Sequence, residues 1–161
     1  MRFSDALDED EPAYEIFMAA MDTVFDEGDG ITEYIDRLSR EARLVYLLWS
    51  FEGEIHNGGF DQLFVNSLGN HCHEILDHLK EVGAARSHAL LLRAMSWFPG
   101  SSPARDRAER GTQLDAFSED PRYEAEMDRL NAEFYKYEDD LAALLNSYVG
   151  RHPDATVEVS P

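Results

Sequence analysis

Glu41-Ala-Arg-Leu-Val-Tyr-Leu-Leu-Trp-Ser-Phe-Glu-Gly-Glu-Ile-His56 decides the fold. Leu44, Val45, Leu47, Leu48, Trp49, Phe51 and Ile55 occupy nearly the whole circumference of a helix, so this segment is expected to be a central helix covered by its neighbours. Its longest apolar run, Leu44 to Trp49, is about two turns, well short of the roughly 20 residues that cross a bilayer. Outward from it the 3.6-residue period persists, and no alternating apolar and polar run bounded by hairpin turns is found. The expected fold class is therefore all-α: a single compact multi-helix domain over residues 11–149 with a long C-terminal helix. Residues 1–10 and 150–161 read as flexible ends.

The flanking elements follow from spacing and stop signals. A first helix over about residues 12–26 is expected to turn Tyr14, Phe17, Met18, Met21, Val24 and Phe25 inward, ending at Gly28-Asp29-Gly30, with a short helix following from Thr32. After the central helix, stopped by Gly58-Gly59, come short helices over 60–67, 71–82 and 84–98, closed by Gly69, Gly83 and Pro99; Pro103 is expected to open the next. The last helix starts at Asp120 as N-cap with Pro121 behind it and runs to Gly150, about 29 residues. Tyr123, Met127, Leu130, Phe134, Tyr137, Leu141, Leu144 and Tyr148 line one seam, either a core stripe of a monomer or a homodimer contact. Arg122, Arg129 and Lys136 each precede an acid by four residues, so Glu126, Glu133 and Asp140 are expected to be self-paired.

The net charge is −19, and it is unevenly spread: residues 1–36 hold 12 acids and one base, 37–110 hold nine of each, and 111–161 hold 12 and four. Such charge excludes direct binding to nucleic acid or to an anionic membrane and favours a basic protein surface. Glu11, Glu15, Asp22 and Asp26 stack along one edge of the first helix, and Asp29, Glu33 and Asp36 extend the line. Like charges four residues apart cost about 0.2–0.5 kcal/mol a pair, so helix stability does not select this pattern. Glu124, Asp128, Glu138 and Asp139 form a secondary acidic face, together with Glu119. Acids four residues apart stand about 6 Å apart along the axis, a line of negative charge that resembles a phosphate backbone to a DNA-reading protein.

Glu54-Ile-His-Asn-Gly-Gly-Phe-Asp-Gln-Leu-Phe-Val-Asn-Ser67, with the flanking segment from Val45 to Gly69 and the run from Ala89 to Pro99, resembles the bacterial DNA-mimic family (neisserial DNA mimic protein 19-like, also catalogued as a domain of unknown function). The resemblance spans roughly residues 40–100. It implies an all-helical protein whose characterised relative binds a helix-turn-helix repressor and displaces it from DNA. The acidic ends lie outside it, so mimicry here rests on terminal acidity joined to that precedent.

Glu52, Glu54, His56, Asn57, Gln62 and Asn66 crowd beside a very apolar helix, where each needs a hydrogen-bond partner if buried. A structural network tying the corner together is the preferred reading, and a small ligand pocket is its rival. His71, Cys72, His73, Glu74, Asp77 and His78 share one helix, but one helix rarely completes a metal site, and neither a His-Glu-x-x-His nor a Cys-x-x-Cys spacing occurs. No nucleophile elbow, phosphate loop or dinucleotide fingerprint is present. No enzyme activity, cofactor or metal is expected. The N-terminus lacks an apolar signal region and Cys72 is the lone cysteine, which points to the cytoplasm. The expected function is an acidic DNA-mimic-type regulator that binds the basic DNA-binding surface of a bacterial protein, such as a helix-turn-helix transcription factor, and competes with DNA. Its alternatives are an immunity or antitoxin protein masking a basic toxin and a ligand-binding domain at the Glu54 to Asn66 corner.

Overall fold

The computed structural model describes residues 1–25 and 34–159. The fold is all-α, with seven α-helices and no strand among the described residues: α1 Pro12–Phe25, α2 Arg40–Val65, α3 Cys72–Val82, α4 Ala85–Met95, α5 Arg107–Asp115, α6 Pro121–Phe134 and α7 Leu141–Arg151. No helix among the described residues is long and apolar enough to cross a membrane. The chain divides into two compact units, residues 1–49 with 141–161, and residues 50–140.

In the first unit α1 packs on α7, and the start of α2 carries the apolar belt that the sequence dictates: Leu44, Val45, Leu47 and Leu48 are fully buried. The inward face of α1 differs from expectation. Val24 is buried as expected, but Ala13, Ile16 and Ala20 are buried with it, whereas Tyr14 and Met18 are exposed. The reason is aromatic contact beside the core: Phe17 stacks on Tyr46 and on Trp49 at 5.8 and 5.7 Å, and Tyr14 lies 5.6 Å from Trp49. These large rings take the flank of α1, and the small Ala13 and Ala20 make the close approach. Asn146 of α7 accepts a hydrogen bond from the Ala13 N–H at 2.9 Å, satisfying a donor that a helix N-terminus leaves orphaned.

The ends of the chain, read from sequence as flexible, pair with each other. Phe3 N–H donates to the Ala155 carbonyl, Val157 N–H to that of Met1, and Ser39 N–H to that of Val157. Isolated antiparallel bridges join Arg2 to Thr156 and Leu38 to Glu158. Phe3 and Val157 are buried. Each end carries one such anchor, too little apolar spacing for a helical pattern to reveal, but enough to seat a backbone whose hydrogen bonds the other end supplies.

The second unit is built from the end of α2 with α3, α4, α5 and α6; α4 packs on both α3 and α6. Expected stops occur at Gly83, a left-handed C-cap, and before Pro99. The stop at Gly58-Gly59 is a kink within α2: Gly59 has φ 75 and ψ −172, and helix resumes to Val65. Asn131 of α6 accepts from the Phe60 N–H at 3.0 Å, capping the resumed helix. A Cβ on residue 59 would stand 2.3 Å from the Asn131 amide, so both the positive φ and the space require glycine. Pro103 does not open a helix. α5 begins at Arg107 because the Asp106 carboxylate accepts from the Glu109 N–H at 2.8 Å and supplies the N-cap.

The long C-terminal helix is two helices. Asp120 and Pro121 start α6 as expected, but it ends at Phe134, and α7 starts at Leu141. Residues 135–140 contain neither glycine nor proline. Tertiary contacts break the helix there: Tyr137 takes φ 52, the Tyr135 hydroxyl donates to the Ile55 carbonyl at 2.7 Å, and Asp139 accepts from the Ser87 N–H at 2.6 Å. The seam breaks with it. Tyr137 is exposed, and beyond it Leu141, Leu145 and Tyr148 are the buried positions.

Candidate partner-binding surfaces

The acidic edge of α1 is real but interrupted. Glu11 and Asp22 are exposed and Glu15 is half-buried, and none of the three forms an ion pair among the described residues. Met18 occupies the helical position between Glu15 and Asp22 and is itself exposed, so the seven-residue gap in the stripe carries a thioether rather than a charge. Asp8, Glu9 and Asp10, all exposed, continue the acidic run in front of Glu11. Asp26, Asp29 and Glu33 lie outside the described residues. Asp36 departs from the expected unpaired stripe: its carboxylate meets Arg43 at 2.5 Å.

The secondary acidic face separates into two kinds of carboxylate. Glu138, exposed, pairs with Arg86 at 3.1 Å, and Asp139 caps α4 through Ser87. Glu124 and Asp128 are exposed on α6 and line a cleft of about 280 Å³ together with Asp61, Tyr123 and Asn131. Of the expected i to i+4 pairs, Arg122 with Glu126 and Arg129 with Glu133 give way to shorter spacings. Arg122 turns back to Asp120, Arg129 to Glu126 and Lys136 to Glu133, at 2.6, 3.1 and 2.6 Å. Glu126 and Glu133 each take a second cation from α4, Arg93 at 2.6 Å and Arg86 at 2.7 Å, and this cross-helix demand selects the backward geometry. Hydrogen bonds from Arg129 and then Arg93 hold the Glu126 carboxyl below the ordinary range, and those from Lys136 and then Arg86 do the same for Glu133. The Arg122 side chain holds Asp120 down to about 2.

The polar corner is a closed network. Glu54 accepts from the Gln62 amide at 2.8 Å and from the Asn66 amide at 3.0 Å across the Gly59 kink. His56 lies between Tyr135 and Tyr137, each 5.4 Å away and near parallel; the Tyr137 hydroxyl meets its Nε2, and Glu52 lies 3.7 Å from that nitrogen. Asn57 is exposed. Burial, then the neighbouring Glu52 carboxylate, raises the Tyr137 phenol above its usual range. The polar groups thus satisfy one another across the corner.

The histidine-rich helix α3 also disperses. Glu74 lies 3.5 Å from both His71 and His78, while His73 faces the Pro103 carbonyl at 3.3 Å. Asp77 is exposed. Burial pushes the Cys72 thiol up to about 12, which leaves it protonated and inert. Among the described residues no group of three or more His, Cys, Asp and Glu side chains is arranged to hold a metal ion.

Arg110 is the residue that sequence reading missed. Its side chain is fully buried, and its guanidinium donates to five acceptors: the carbonyls of Phe64, Asn66, Ala104 and Arg105 and the Asn70 side chain, at 2.7–3.0 Å. Desolvation lowers its affinity for the proton, yet an arginine keeps its charge. Gly69 makes room: a Cβ there would come within 2.5 Å of the Leu63 carbonyl and 2.7 Å of the Arg110 Nε. The pattern Asn66-Ser-Leu-Gly69 was visible, but nothing in sequence marks which of nine bases in the second unit is the buried one.

No curated protein and no solved structure matches the chain. The model of the DMP19-like protein family matches residues 36–152. That span takes in the Glu54 to Ser67 motif whose network and arginine anchor are described above, and most of the chain with it: the protein belongs to the DMP19-like family.

Proposed function

We propose that the chain is an acidic DNA-mimic-type regulator that uses the N-terminal acidic run and the outer edge of α1 to occupy the basic DNA-reading surface of a bacterial protein, in competition with DNA. The observation that carries this reading is the absence, among the described residues, of ion pairs to Glu11, Glu15 and Asp22, next to the exposed acidic run Asp8 to Asp10. Membership of the DMP19-like family supports it. Duplex DNA carries one charge per roughly 1.7 Å of axis, or 3.4 Å per strand, and three acids spread over about three helical turns fall short of that density. The run Asp8 to Glu11 supplies the local density that the helix edge lacks, so both segments belong to one surface.

Binding through such a surface is electrostatically steered and weakens with salt. The test is capture from a lysate of the source cells at low and high salt, with a Glu11→Gln, Glu15→Gln, Asp22→Asn variant as control. Captured proteins are then assayed for DNA binding with and without the acidic chain. A salt-released DNA-binding protein that the wild type strips from DNA, and the variant does not, supports the reading. Capture that is indifferent to the variant, or a captured protein that keeps its DNA, overturns it.

A further inference from the structure

The Ser50–Asp140 unit contains a groove unrelated to the α1 edge. Its larger part, about 760 Å³, runs between the last turns of α2 (Asp61, Val65) and α5 (Arg107, Gly111, Leu114, Asp115). The smaller cleft beside Glu124 and Asp128 shares Asp61 and Ser118 with it, so the two adjoin. Three features set its chemistry. Asp115, Glu124 and Asp128 line it and are exposed with no ion pair among the described residues, whereas the one cation in it, Arg107, is turned to the Val65 carbonyl at 2.9 Å. Its walls include apolar surface from Val65, 48% exposed, and from the exposed Ala108. Gly111 sits inside helix α5, where glycine costs about 1 kcal/mol relative to alanine, and a Cβ there would meet nothing within 4 Å. Internal packing therefore gives no reason for glycine at a position whose missing side chain keeps the groove open.

We propose that this groove binds an extended basic peptide segment of a protein partner, its carboxylates taking Lys or Arg heads and the exposed Val65 and Ala108 the aliphatic stems. The occupant follows from charge complementarity: exposed carboxylates beside exposed apolar surface match side chains that are apolar along the stem and cationic at the tip. An open groove suits a strand of peptide rather than an enclosed metabolite. The site is independent of the α1 surface, and its test separates the two. A short labelled peptide rich in Arg, Lys and Leu is titrated into the full chain, and amide shifts are followed by NMR. The expected result is a shift cluster on residues 106–118 and 124–131. Gly111→Leu, which fills the groove without touching the core, and the triple Asp115→Asn, Glu124→Gln, Asp128→Asn each weaken binding about tenfold or more. The α1 triple variant changes it less than about threefold. Shifts centred on α1, or equal losses in the groove and α1 variants, overturn the proposal, as does full affinity in Gly111→Leu.

Discussion

The two units of the chain carry almost the same net charge and use it differently. Residues 1–49 with 141–161 hold 15 acids and five bases, and residues 50–140 hold 18 and nine. In the second unit carboxylates act as structure: Asp106 and Asp120 cap helices, Asp139 caps α4, Glu54 braces the Gly59 kink, and Glu126 and Glu133 each clamp two cations. In the first unit Asp5 bonds the Arg2 N–H, Asp36 meets Arg43 and Glu158 takes the Thr23 hydroxyl, while the α1 edge stays solvated. Net charge therefore does not identify a binding surface. What distinguishes one is where charges that the fold leaves without a task gather, as they do along the α1 edge and in the groove.

The sharpest way to break this comparison is at Arg110, the basic counterpart of the working carboxylates. Replacing it with methionine keeps the stem but orphans several carbonyls around a buried site, each costing about 1–3 kcal/mol when unsatisfied. Arg110→Met is expected to destabilise by roughly 3–5 kcal/mol in urea unfolding. Gly69→Ala forces the same guanidinium aside by overpacking and is expected to cost about 1–3 kcal/mol. A loss under about 1 kcal/mol in Arg110→Met would show that the guanidinium is dispensable and that the second unit is held by its apolar core alone.

Arg110 also marks the limit of what the sequence discloses. The central helix, the Gly59 interruption, the Gly83 cap and the Asp120-Pro121 start were all legible, because each depends on a local period or on a residue with a restricted backbone. The Glu54, Gln62 and Asn66 network was legible too, since polar groups beside a buried helix must pair. The break after Phe134 was not, because Tyr135, Tyr137 and Asp139 are ordinary helix residues until His56, Ile55 and Ser87 meet them from elsewhere in the unit. The same cause redirected the ion pairs of α6: Arg86 and Arg93 arrive from α4 and turn Glu133 and Glu126 toward their i+3 partners. On α1 a helical period correctly gave amphipathicity but chose large residues for the core side, where helix contact selected Ala13, Ile16 and Ala20.

Acid should separate the units. Asp120, Glu126 and Glu133 have carboxyl pKa values below their ordinary range in the folded state, so the stability they give is present in full above that range. It is lost as pH falls through their lowered folded values, toward about 2 for Asp120. Glu11, Glu15 and Asp22 form no ion pair among the described residues, so the α1 edge has none for acid to break. The two tryptophans report the difference, since Trp49 packs on Phe17 in the first unit and Trp97 against Tyr123 in the second. In single-tryptophan variants the Trp97 fluorescence transition is expected at higher pH than that of Trp49. Coincident transitions would mean that the carboxylate work of the second unit does not govern its acid stability.

The smallest expected effect is the most informative about binding. Neutralising a charge that the fold does not use should leave stability almost unchanged, so Glu15→Gln with Asp22→Asn is expected to shift unfolding by no more than about 0.5 kcal/mol, toward greater stability. Glu126→Gln and Glu133→Gln, which each release two cations, are expected to destabilise. Both sets remove carboxylates from the same acidic chain, so a mere change of net charge would move them in the same direction. Opposite signs in chemical denaturation would assign the α1 carboxylates to something outside the folded chain. A destabilised α1 variant would instead place those acids among the structural ones, and the docking surface would have to be sought in the groove.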